Sequence, residues 1–161
     1  MPEMTLLGWF HTVFGVLAVL SGFYALYKYR VISLKESSGK IYVFVTFVVA
    51  ASALGIYNQG GFGVAHILAV LTLIALAGAV IIEKTNLFGS LSKYFQALGY
   101  TSTLLFHMIP AITDFLRRLP VGDPFIDSIE DPLLINFHLV FLVTFILGII
   151  LQMIWLKKSN I

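Results

Sequence analysis

The chain has 161 residues, of which 59% are hydrophobic, 14% aromatic and 11% charged, and its mean hydropathy is +0.96. Too few charges are present to cover a water-soluble domain of this size, which excludes an ordinary cytosolic enzyme and leaves one polytopic, all-α membrane domain. Lack of cysteine excludes a disulfide, a thiolate metal site, an iron–sulfur cluster and a Cys-x-x-Cys-His haem attachment, and a net charge of +2 is too small to imply a nucleic-acid partner.

Apolar runs bounded by charged, Gly/Pro or Asn/Ser clusters predict five spans, at 5–27, 41–57, 62–82, 94–116 and 133–156. The first is preceded by Glu3, with no Lys or Arg ahead of it and no small-x-small cleavage site after it, and reads as a retained helix rather than a signal peptide. Along it Gly8, His11, Gly15, Ala18 and Gly22 form a stripe of small residues on one face, through which a second helix or a flat macrocycle can approach the backbone. The second span is the shortest and carries no histidine. A turn at Tyr57-Asn58-Gln59-Gly60-Gly61 makes it the antiparallel neighbour of the third, in which Gly63 precedes His66 by one turn.

The fourth span repeats Gln96, Gly99, Thr103, His107, Pro110, Asp114 and Arg117 at helical spacing. Such a polar stripe must look inward in lipid, and Pro110 is expected to kink the helix beside His107. The loop Leu119 to Pro132, broken by Pro120, Pro124 and Pro132, is the longest polar connection; it reads either as a contact for a soluble partner or as a solvated connector. The fifth span places His138, Phe141, Phe145, Gly148 and Gln152 on one face. No internal repeat or low-complexity tract is visible.

Eight of the ten Lys and Arg residues (Lys28, Arg30, Lys35, Lys40, Lys84, Lys93, Lys157, Lys158) fall on one side if all five spans cross. The positive-inside rule makes that side the cytoplasm, with the N-terminus outside and the C-terminus inside, as in a multi-pass protein of the bacterial inner (plasma) membrane. Only Arg117 and Arg118 fall on the other side, together with Glu3, Asp114, Asp123, Asp127, Glu130 and Asp131.

The four histidines of the chain, His11, His66, His107 and His138, lie one each in spans one, three, four and five. At about 1.5 Å per residue they sit roughly 9, 6, 14 and 8 Å inside the outer helix ends, all in the outer half of the membrane. Ionisable side chains are costly there and mark functional sites. Four neutral imidazoles can hold two bis-His haems, one haem with two spare residues, or one non-haem metal. Haem, a large flat apolar plate with two axial ligands, suits a bundle with small and aromatic residues near its histidines. A compact zinc or copper site would bring close-spaced ligands of other kinds, and Met108 is the only Met near any of the four.

In size, span number and intramembrane His11, His66, His107 and His138, the chain resembles the membrane-bound b-type cytochromes, the group that includes the di-haem cytochrome b561-like proteins. That resemblance implies two haem b groups with these histidines as axial ligands to iron. It also implies single-electron transfer, oxidoreductase chemistry with a quinol or quinone, and a redox partner on the periplasmic side. The family commonly places one haem near each face, whereas all four ligands here lie near the outer one, so the expected chemistry is confined to the outer leaflet, with quinol or superoxide as the linked substrate. Depth prefers His66 with His138 and His11 with His107. Arg117 and Arg118 are candidate propionate contacts or interfacial anchors, Gly15 a candidate contact for the macrocycle, and Asp114 a proton relay or an ordinary helix end. The alternatives are a small metal-ion or proton transporter or channel-like subunit lined by the histidines, and a structural subunit of a membrane complex; an oligomer fits any of these.

Overall fold

In the computed structural model residues 4–57 and 61–159 are described, so Glu3 and the Asn58-Gln59-Gly60 part of the anticipated turn lie outside the described residues. Five α-helices follow one another: α1 (Leu6–Tyr29), α2 (Ser37–Ala53), α3 (Val64–Thr85), α4 (Ser92–Arg118), led by a short 3-10 turn Gly89–Leu91, and α5 (Pro132–Lys158). The described residues contain no strand.

Local signals account for the helix ends. Thr5 caps α1 by accepting from the Gly8 N–H at 3.1 Å, and Asp131 caps α5 from the Leu133 N–H at 2.8 Å, with Pro132 at the first helical position. Arg30 and Asn86, both left-handed with φ of 67° and 53°, end α1 and α3 and turn their N–H groups back to Leu26 and Ile82.

Helices α1 to α4 form an up-down-up-down bundle, in which α1 packs on α2 and α4, and α3 on α2 and α4. Helix α5 lies outside it, packed on α4. Helices α1, α3 and α5 are long and apolar enough to cross a membrane. The 17-residue α2 sits between α1 and α3, while α4 buries Thr103 and His107 of its predicted polar stripe, along with Tyr100 and Thr101, and leaves Asp114 of that stripe exposed. Pro110 lies inside a continuous α4.

A buried layer of Ala25, Ile32, Tyr42, Leu76, Ala79, Tyr100 and Leu104 closes the bundle in the half toward its lysine end. One side of it leads to the histidine end, where α1, α3 and α5 begin; the other leads to the lysine end. The lysine end is tied by polar groups. Glu83 accepts from the Ser33 hydroxyl at 2.5 Å, the Leu34 N–H at 2.8 Å and the Tyr100 hydroxyl at 2.8 Å, joining the first loop to α3 and α4. Gln152 accepts from Thr101 at 3.0 Å and donates to the Arg30 carbonyl at 2.9 Å, fastening α5 to α4 and to the end of α1. At the opposite end the proline-rich loop folds back, with Ile126 buried against Leu116 and Leu134.

Candidate functional site

His11 projects from the second turn of α1 toward α2, where its Nδ1 lies 3.1 Å from the Val49 carbonyl and 3.2 Å from the Ser52 hydroxyl. A carbonyl only accepts, so Nδ1 carries the proton and Nε2 the lone pair. This is how a metal-ligating imidazole is ordinarily held, one nitrogen fixed by a backbone carbonyl and the other bare.

His107 reaches the same helix from α4, with Nε2 3.1 Å from the Thr46 hydroxyl and the ring edge-on to Tyr42 at 6.3 Å. Tyr42 is held in turn: its hydroxyl lies 2.7 Å from Thr103 Oγ1, which gives its own proton to the Tyr100 carbonyl, so Tyr42 is the donor. Thr46, Val49 and Ser52 follow one another by a turn each, and one stripe of α2 therefore receives both histidines.

The small-residue stripe of α1 divides into two parts. A Cβ built on Gly22 would lie 2.7 Å from Tyr42 Cε2 and 3.2 Å from Leu104 Cδ1, which is a closed helix seam. A Cβ built on Gly15, one turn from His11, would meet nothing within 4 Å. The donor chemistry of His11 and the open space at Gly15 are compatible with a large apolar cofactor bound by imidazole.

The other two histidines stand apart from this pair. His66 is on the buried face of α3 and its Nδ1 accepts from the Gly63 N–H at 3.1 Å, so its Nε2 carries the proton. His138 lies 3.3 Å through Nε2 from Thr113 Oγ1, whose proton goes to the Ile109 carbonyl; it docks α5 on α4. Helix α4 packs between α3 and α5, and so between His66 and His138. No group of three or more His, Cys, Asp or Glu side chains among the described residues is arranged to hold a metal ion.

Asp114 is exposed and pairs with Arg118 at 3.5 Å across one helical turn. That contact is an ion pair through Nε without a hydrogen bond, and Arg117, beside it in the last turn of α4, is free of an ion pair among the described residues. Thr46 and Ser52, which hold the two histidines, lay in the span without a histidine and gave no sequence signal beyond being hydroxyls in an apolar run. Comparison with protein-family models, with curated proteins and with solved structures finds no match to this chain.

Proposed function

We propose that the chain is a five-span protein of the bacterial inner membrane, N-terminus outside and C-terminus in the cytoplasm, that binds haem b through His11 and His107 and passes single electrons within the outer leaflet. The observation that carries this reading is His11: its Nδ1–H is fixed by the Val49 carbonyl, its Nε2 is bare, Gly15 opens space one turn away, and His107 meets the same stripe of α2. Haem b, when bound, supplies a reversible one-electron couple at its iron. The protein's part is to fix both rings, through Val49 and Ser52 for His11 and Thr46 for His107, and to offer Arg117 to a propionate.

One site is proposed rather than two, because His66 holds its proton on Nε2 and neither it nor His138 meets the stripe of α2 that receives His11 and His107. The buried layer around Tyr42 and Tyr100 supports chemistry confined to one half of the bundle over a path through it. On the lysine side of that layer Gln96 and Gln152 donate to the Ile32 and Arg30 carbonyls and Glu83 accepts from Ser33, Leu34 and Tyr100, so the polar groups there tie segments together instead of lining a metal-ion or proton path.

The test is an oxidised-minus-reduced absorption spectrum of the detergent-purified protein with a pyridine haemochrome count. A b-type spectrum with about one haem per chain is expected, lost in His11→Phe and in His107→Phe and retained in His138→Phe. Colourless protein after expression with ample haem refutes the proposal, and stoichiometric zinc or copper in its place would favour the metal-path alternative.

A further inference from the structure

His66 is 5% exposed, and its ring lies between those of Tyr57 and Phe62, with centroids 4.7 and 5.0 Å away. Because the Gly63 N–H occupies Nδ1, the proton of the neutral ring is on Nε2. That Nε2–H is sealed from solvent and meets no acceptor among the described residues. A buried donor without an acceptor costs stability, and in native proteins such a group usually marks an ion, a water or a ligand.

The surroundings indicate which. A buried water needs about two to four polar partners. The rings beside His66 are aromatic, the next buried residue on its helix face is Ala69, and Thr72 beyond it gives its hydroxyl to the Leu68 carbonyl. A lone neutral N–H in such a setting matches a molecule that brings one uncharged acceptor on an apolar body. The cover is slight: Tyr57 is 55% and Phe62 63% exposed, and Gly61 and Gly63, on either side of Phe62, have nothing within 4 Å of an added Cβ. Both rings flank His66 at the histidine end of the bundle.

We propose that the His66 Nε2–H is the hydrogen-bond donor of a binding site for a membrane-soluble molecule carrying an uncharged carbonyl oxygen on an apolar body, admitted beside Tyr57 and Phe62. Two sources share that chemistry, the ring carbonyl of a quinone and the ester carbonyl of a lipid. The site stands on His66 alone and is independent of the His11–His107 reading.

The test is titration of the full-length, detergent-purified protein, labelled with 15N-histidine, with a short-chain ubiquinone, a short-chain diester phosphatidylcholine, its diether analogue and decane. A saturable shift of the His66 Nε2–H resonance with a carbonyl compound, and none with diether or decane, is expected; the compound that produces it identifies the source. His66→Phe should weaken that binding at least tenfold, and His66→Asn, which keeps an N–H donor, should restore part of it. Absence of a shift with both carbonyl compounds, an equal shift with decane, unchanged affinity in His66→Phe, or loss of a haem in that variant overturns the proposal. The resonance is read in the unsubstituted protein, so the test does not depend on a variant folding. Binding by colourless protein upholds the carbonyl site while ending the haem reading, and pigmented protein without binding does the reverse.

Discussion

Gly15 and Gly22 lie on one stripe of α1, and the structure predicts opposite consequences for the same substitution at the two. In Gly22→Ala the new methyl meets the Tyr42 ring at 2.7 and 2.9 Å. Tyr42 is fully buried, its hydroxyl is bound to Thr103 at 2.7 Å and its ring abuts His107, so it has little room to swing aside. Forcing a methyl into a packed core costs about 1–3 kcal/mol, against which alanine returns about 0.5–1 kcal/mol over glycine inside a helix. The net is a loss of about 1–2 kcal/mol, or about 2–8 °C in Tm for a chain of this length. Gly15→Ala meets no atom within 4 Å and keeps only the helical gain, so its Tm should stay level or rise by about 2–4 °C.

Thermal unfolding of both variants, followed by circular dichroism in one detergent, checks the pair. Equal shifts in the two variants, or a Gly22→Ala protein as stable as the parent, would refute the reasoning. Gly15→Leu extends the test to function, since it fills the space beside His11 and should reduce haem binding while Tm holds.

Glu83→Leu strands the Ser33 hydroxyl, the Leu34 N–H and the Tyr100 hydroxyl, and should cost about 2–4 kcal/mol in denaturant unfolding, whereas Glu83→Gln keeps an oxygen acceptor and should cost about 1 kcal/mol; equal losses would contradict the bonding described. Ile126→Ala removes the buried anchor of the proline-rich loop and should cost about 2 kcal/mol, with faster limited proteolysis between residues 119 and 131; an unchanged cleavage rate would mean that the loop is held by other contacts.

The helices were legible because lipid-length apolar runs and their breakers are properties of neighbouring residues; the predicted span at 62–82 and the helix Val64–Thr85 differ only at their edges. Of the polar face read from the spacing of α4, Thr103 and His107 are buried, whereas Asp114 is exposed near the helix end. The ties between helices were not. Gln152 finds the Arg30 carbonyl 122 residues away, and Glu83, one charge in the last turn of an apolar span, finds three donors on two other segments. Nor does spacing separate Gly22, closed by Tyr42, from Gly15, left open; the difference depends on which side chain the neighbouring helix presents.

Four histidines in one half of the membrane read as a single set, and the structure sorts them by what each ring meets at a helix end. An α-helix leaves unpaired N–H groups at its start and C=O groups at its finish. In the up-down bundle the finish of α2 and the start of α3 both lie at the histidine end. His11, from α1, meets the Val49 carbonyl, which lies in the last turns of α2 but before its unpaired carbonyls and also accepts from the Ser52 hydroxyl, and is left with a bare Nε2. His66, third residue of α3, meets the N–H of the preceding Gly63 and is left with a protonated Nε2. One ring thereby presents a bare lone pair and the other an N–H donor, although residue type and the depth expected from the sequence are alike. The chemistry of each imidazole follows from the polarity of the backbone beside it, a carbonyl for His11 and an N–H for His66, so exchanging the two roles would require changing the backbone group each ring meets.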